Sequence, residues 1–219
     1  MGFQQYWNPL PQRESGPRSS IRLIVAAASG LDITGRRVMF DSRVPLPYDV
    51  LSLCVGSVTS FDGVRIADAS ALVPVKPMQT FVDRLAAAVT THITARTRPL
   101  RLAIVGGGAA GVNCAPKFIA RACDPLDTRC VLVTEGRVLE GGRAETADLA
   151  ATVLERRGVV VREHCRVTTV APGALTLDNG TSLPMDVAIW VTAAAAPAFL
   201  KATGLPLDDR GLLRTNAAL

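Results

Sequence analysis

Leu102-Ala103-Ile104-Val105-Gly106-Gly107-Gly108-Ala109-Ala110-Gly111 carries four apolar residues straight into a cluster of glycines. The apolar run reads as a buried strand, the glycines as a turn, and the residues after them as a helix. Gly106, Gly108 and Gly111 stand at G-x-G-x-x-G spacing. At such a junction the first glycine permits a tight turn and the second lets backbone approach a pyrophosphate. The third lets the helix pack close to the strand. The helix N-terminus adds free N–H groups and the positive end of its dipole. Gly107, Ala109 and Ala110 fill the positions between the motif glycines.

Two neighbours strengthen a motif that is weak alone. The apolar run precedes it directly, and a second strand, Cys130-Val131-Leu132-Val133-Thr134, ends on Glu135. Glu135 lies 24 residues past Gly111, close to the offset of about 20 at which a carboxylate hydrogen-bonds the adenosine ribose. A carboxylate there favours NADH and repels the extra phosphate of NADPH. Arg137 leaves the alternative open, since an arginine can pair with that phosphate.

Outward from this centre the chain alternates strands and helices. Met1–Ser20 is rich in Pro, Gly, Ser and Gln and reads as a flexible lead-in. Leu23–Ala28 reads as an apolar strand, Thr34-Gly35 as a turn, and Arg37–Phe40 as its partner strand. Asp49–Val55 is nearly all apolar and reads as a central strand ending on Gly56-Ser57. Residues 62–75 show no regular pattern. From Met78 a helix places Met78, Phe81, Val82, Leu85, Val89 and Ile93 on one face. Beyond Glu135, a loop over Gly136–Arg143 leads into a helix near Thr146–Arg157, with Leu149, Val153 and Leu154 inward and Gly158 as its stop. Next come Val159–Val161, Val167–Val170, and a hairpin of Ala174–Leu177 and Thr181–Leu183 turning at Asn179-Gly180. Asp186–Thr192 is the last strand, and Ala198 opens a tail with a helix-like start.

A chain of 219 residues that is 48% hydrophobic and 20% charged has room for one or two packed domains. Its net charge of +5 is scattered; nucleic-acid binding calls for a concentrated basic stripe with stacking aromatics, and neither is present. The five cysteines, at 54, 114, 123, 130 and 165, include no C-x-x-C pair and read as reduced thiols in the cytoplasm or another reducing compartment. No run reaches the roughly 20 apolar residues of a membrane span. His92 and His164 read as solvated side chains, so no catalytic acid or base is assigned.

The chain also repeats itself. A shift of 137 residues carries Asp41, Leu46, Pro47, Asp49 and Val50 onto Asp178, Leu183, Pro184, Asp186 and Val187 without a gap. Two copies of a β-meander followed by a return strand are therefore expected. The second copy comes after a glycine turn. Nothing before Ile21 resembles one, so the sequence reads as beginning inside its first dinucleotide domain.

These stretches resemble the pyridine nucleotide–disulfide oxidoreductase superfamily, two-domain flavoproteins with FAD and NAD(P)H domains, and within it the type II NADH dehydrogenase-like branch. The resemblance rests on Tyr48–Leu53 with Gly56-Ser57, Val75-Lys76-Pro77, Ile104–Val112, Asp186–Pro197 and Gly204–Asp208, and covers residues 21–219. It implies an α/β fold: a Rossmann-like dinucleotide-binding domain with an inserted β-meander, plus a partial FAD-type domain. In those terms, residues 1–20 are the lead-in and 21–98 part of an FAD-binding domain. Residues 99–196 are an NAD(P)H-binding domain, and 197–219 return toward the FAD domain. The resemblance further implies that Gly106, Gly108, Ala109, Ala110 and Gly111 face the NADH pyrophosphate. Glu135 would meet the ribose, Thr192-Ala193 would line the nicotinamide side, and Ala28, Gly56 and Ser57 would contact FAD. The implied activity is hydride transfer from NADH to flavin and on to a quinone-like or other acceptor. The rival reading is a non-catalytic NAD(H)-binding module without flavin, and an exposed half-domain would favour self-association. The sequence departs from the family pattern in having no N-terminal FAD glycine motif and no C-terminal Gly-Asp flavin motif. Ala193 stands where glycine is usual, and Pro116 falls inside the motif helix.

Overall fold

The computed structural model describes residues 23–94, 98–114, 128–192 and 194–217. Pro116 and Ala193 lie outside them. The chain divides into two compact units, meeting in sequence at Val50 and Leu51.

The first unit is an antiparallel meander of β1 (Ala28–Asp32), β2 (Arg37–Phe40) and β3 (Leu46–Pro47). The strand expected at Leu23–Ala28 begins only at Ala28, because the turn sets the register. The Gly35 N–H donates to Asp32 Oδ1 at 2.7 Å, and Arg37 pairs with the same carboxylate. This places Asp32 opposite Arg37 and leaves the apolar run upstream of the ladder, with Val25 92% exposed.

The second expected strand, Asp49–Val55, does not form either, and Val50 is 90% exposed. A run apolar on both faces is stable as a strand only between two ladder partners. No described strand pairs with this one. The return strand of the first repeat is thus corrected to irregular chain.

In the second unit β4 (Val58–Thr59) comes first, and the stretch 62–75, read as irregular, contributes β5 (Arg65–Ile66) and β6 (Leu72–Pro74). Each is two or three residues long, too short to show a period. Helix α1 (Met78–Thr94) buries Phe81, Leu85 and Val89 and leaves Met78 and Val82 exposed. Then come β7 (Leu100–Val105), a helix α2 described over 109–114, and β8 (Thr128–Val133). Helix α3 (Ala144–Arg156) and β9 (Val159–Arg162) are next. The meander of β10 (Val167–Ala171), β11 (Ala174–Leu177) and β12 (Ser182–Pro184) leads to β13 (Val187–Trp190). A two-residue β14 (Ala194–Ala195) pairs with β4, and a 3-10 turn spans Ala198–Ala202.

The centre is a parallel sheet in the order β6-β13-β7-β8-β9. Alternate residues of β7 serve opposite layers. Leu102 and Ile104 join a core with Phe81, Leu85 and Val89 of α1 and Leu154 of α3. Ala103 and Val105 join a second core with Val170, Leu175 and Leu177 of the meander. The result is helix, parallel sheet and a mixed sheet, β12-β11-β10-β5 with β5 parallel to β10, in three layers, which is why β7 and β13 read as continuous apolar runs.

Helix α3 is rotated from its expected face. Ala147 and Leu154 are buried and Ala150 packs beside them, while Leu149 is 65% exposed and Val153 is exposed too. Small side chains let the helix lie close to the sheet. Gly158, at φ +75°, stops the helix as expected.

The repeat is present partner for partner in the two meanders. Val38 opposes Leu46 as Leu175 opposes Leu183, and Arg37 opposes Pro47 as Ala174 opposes Pro184. Each meander also has a bulge in its first strand, between Ala28 and Gly30 and between Val167 and Thr169. The second copy completes its return strand as β13; the first does not.

Asp186 ties the start of β13 to the start of β7. Its carboxylate, 5% exposed, accepts from both terminal nitrogens of Arg98 at 2.7 Å. It also accepts from Arg101 Nη2 at 2.8 Å and from the Arg101 backbone N–H at 2.9 Å. Burial opposes the charge, but these donors outweigh it and hold the carboxyl well below the usual carboxylate range. The stability this confers is complete above the unfolded carboxyl's pKa of about 4 and is lost progressively as pH falls below that toward the folded value. Asp186→Asn is expected to cost about 2 kcal/mol at pH 7, less than a fully buried pair because both arginines keep contact with water. Urea unfolding at pH 7 and at pH 3 checks this: the gap between wild type and variant narrows at the lower pH.

Candidate dinucleotide site

The glycine turn joins β7 to α2 under three separate steric constraints. Gly106 has φ +123°, and a Cβ there would sit 2.5 Å from the Val191 carbonyl oxygen at the end of β13. A Cβ on Gly107 would sit 2.5 Å from Thr134 Oγ1 at the end of β8. A Cβ on Gly111 would collide with the Gly106 carbonyl oxygen. Three chain segments therefore approach one another at atomic contact. Gly108 differs: nothing lies within 4 Å of where its Cβ would be.

Gly108 faces a cavity of about 570 Å³ at the carboxyl ends of β7, β8 and β13. One wall is the turn itself, Gly106–Ala110. A second is Thr134–Arg137 with Glu140, and a third is Cys165–Val167. Trp190–Thr192 close the far side together with Ser60, Asp62 and Val64. Loop hydrogen bonds hold these walls. The Gly106 N–H donates to Val133 O at 2.8 Å, Leu139 N–H to Gly107 O at 2.8 Å, and Cys165 N–H to Thr134 O at 3.0 Å. The Ser60 carbonyl accepts from Trp190 Nε1 at 3.1 Å and from Thr192 Oγ1 at 3.0 Å, and Phe61 packs on the Trp190 ring at 5.3 Å between centroids.

Of the residues singled out in the sequence, Gly106, Gly107, Gly108, Ala109, Ala110, Glu135 and Thr192 line this one cavity. Gly111 lies behind the turn. Gly56, at φ +67°, and Ser57 do not line it; the Ser57 hydroxyl accepts a hydrogen bond from Lys76. Ala28 is the first residue of β1 in the first unit. Glu135 is exposed at the mouth. Arg137 also lines the cavity, with its Nη2 on Asp148 Oδ1 of α3 at 2.7 Å.

Sequence reasoning missed Ser60, Asp62, Cys165, Arg166 and Trp190. The first two sit in chain without periodicity. Trp190 carried a usable signal, as an aromatic with a polar N–H at the end of a strand that points to the turn. His164, at φ +54°, is exposed and outside the cavity wall. Among the described residues there is no cluster of three side chains fit to hold a metal, and no helix is long and apolar enough to cross a membrane. The cavity thus offers backbone N–H groups, a few charges and an apolar floor.

Comparison with known proteins gives consistent results. The family described as pyridine nucleotide-disulphide oxidoreductase matches residues 20–219. The demethylphylloquinone reductase NdbB of Synechocystis sp. is 30% identical over 130 residues, which are 55% of this chain and 30% of that protein. The chain therefore spans about a third of that relative's length. An NAD-dependent persulfide reductase from A. fulgidus superposes with TM-score 0.70 at 19% identity over 85% of this chain and 34% of its own. An FAD-dependent pyridine nucleotide-disulphide oxidoreductase from Desulfovibrio vulgaris gives 0.64 at 22% identity over 87% and 48%. At such identities the likeness is one of fold.

Adding a methyl separates the glycines' roles. Gly106→Ala is expected to destabilise the fold by about 3 kcal/mol through strain and overpacking, while Gly108→Ala stays within about 0.5 kcal/mol of wild type. Chemical denaturation of both variants reads the difference.

Proposed function

This chain belongs to the pyridine nucleotide-disulphide oxidoreductase family, and on that premise we propose that it binds NAD(H) in the cavity beside Gly108 and serves an NADH-dependent flavin oxidoreductase. The carrying observation is Gly108 itself, a glycine that no protein atom requires and that opens onto the cavity. Its neighbours Gly106 and Gly111 are explained by packing. Gly108 is explained by a ligand that comes as close as backbone allows.

In this reading residues 99–196 are the NAD(P)H-binding domain and 21–98 belong to the FAD side. The backbone of Gly106–Ala110 and the first turn of α2 hold the pyrophosphate. The Glu135 carboxylate accepts from the ribose hydroxyls, and Thr192, fixed by its bond to Ser60, borders the nicotinamide side. A bound NADH supplies a hydride and a bound FAD accepts it; positioning and electrostatics are the chain's part. A quinone-like final acceptor is suggested by the name of the Synechocystis relative. The second reading, an NAD(H)-binding module without flavin, is favoured by one observation: residues 49–57, where Gly56 and Ser57 are expected to meet FAD, form no strand.

Fluorescence titration with NADH tests the nucleotide site. Saturable binding is expected, weakened about tenfold by Gly108→Ala, equivalent to ~1.4 kcal/mol. Absence of saturable binding overturns the proposal. An absorbance spectrum after incubation with FAD and desalting separates the two readings: retained flavin bands that bleach with NADH support the oxidoreductase, and their absence supports the binding module. Leu23, Val25 and Val50, exposed in the first unit, lead us to expect concentration-dependent elution on size exclusion.

A further inference from the structure

We propose that Asp148 sets the preference for NADH over NADPH by holding Arg137 away from the adenosine ribose; the inference rests on the nucleotide reading of the cavity. Glu135 and Arg137, two residues apart and opposite in sign, line the same cavity, whose wall also carries Glu140. Glu135, two residues past the end of β8, faces a 2′-hydroxyl well and a 2′-phosphate badly. Arg137, two residues on, has the reverse preference. Taken alone, the two preferences oppose each other. The structure breaks the tie with a third residue outside the cavity: Asp148, on the second turn of α3, accepts from Arg137 Nη2 at 2.7 Å. With that partner in place, the guanidinium is spoken for and the carboxylate of Glu135 decides.

The pair is exposed, with side-chain accessibilities of 48% and 67%, so it is a bias and not a lock. Releasing it removes a negative charge near the ribose and also frees the fork of Arg137 to meet a phosphate with two parallel hydrogen bonds. Arg166 is the other cation on the cavity wall, and no carboxylate among the described residues pairs with its guanidinium. Its charge is equally available to either nucleotide with or without Asp148, so it does not account for a difference produced there.

The experiment is equilibrium fluorescence titration of the full chain with NADH and with NADPH, for wild type, Asp148→Asn, Arg137→Gln and the double variant. Circular dichroism checks that all four are folded. Asp148→Asn is expected to tighten NADPH about fivefold and leave NADH within twofold. In the Arg137→Gln background the same change is expected to move NADPH less than twofold, because the gain acts through the guanidinium. The NADPH gain is also expected to shrink as salt is raised. An unchanged NADPH affinity in Asp148→Asn overturns the inference, as does an equal gain with Arg137 absent, which would assign the effect to charge removal alone. A parallel gain for both nucleotides overturns it too. These failures leave NADH binding by wild type intact and so spare the nucleotide site. Loss of NADH binding in wild type itself would overturn both.

Discussion

The turn after β7 is organised by the absence of three side-chain carbons. The Val191 carbonyl presses on Gly106, the Thr134 side chain on Gly107, and the Gly106 carbonyl on Gly111. Because these contacts are between backbones or against a buried threonine, none can relax by rotating a flexible side chain. They bring the ends of β7, β8 and β13 and the start of α2 to one point. The cavity is what remains on the open side of that point, and Gly108 is the lining glycine whose Cβ position meets no protein atom within 4 Å.

Such a junction needs a rigid floor. It has one because β7 and β13 are buried on both faces, with helices over one and the antiparallel meander over the other. The Asp186 carboxylate clamps the opposite ends of the same two strands. A parallel pair fixed at its N-terminal end by charge and at its C-terminal end by steric contact has little freedom to slide. The cavity wall contributed by Ser60 is held by the same strand, since Trp190 and Thr192 both donate to its carbonyl. Residues far apart in sequence therefore form one surface through a single acceptor.

How far all this could be read in the sequence depended on whether a segment's signal named its partner. The glycine spacing, the Asn179-Gly180 turn and the Gly158 stop are local requirements, and each appears where expected. The buried runs of β7 and β13 were legible because both faces are covered. The same pattern misled at Leu23–Ala28 and Asp49–Val55, where apolarity promised a strand but no described ladder receives one. Leu149 misled for the opposite reason: alanines at 147 and 150 carry the packing of α3, and their small size hides the inward stripe. Ser60 and Asp62 could not be found at all, because a wall made by a loop has no period.

The repeat sharpens that point. Two meanders with matching sequence keep the same cross-strand partners and the same bulge position, so local pattern and turn chemistry suffice to specify a meander. They do not suffice for the segment after it. Val50 is exposed and Val187, its counterpart 137 residues on, is fully buried. Both sit after a Leu-Pro step and an aspartate. The difference is that Val187 has β6 on one side and β7 on the other. The second copy owes its site to that pairing, because β13 delivers Val191 to Gly106 and Thr192 to Ser60 only when it lies in the sheet. Formation of the cavity is therefore a property of a paired return strand, and the meander alone, however well copied, does not produce one.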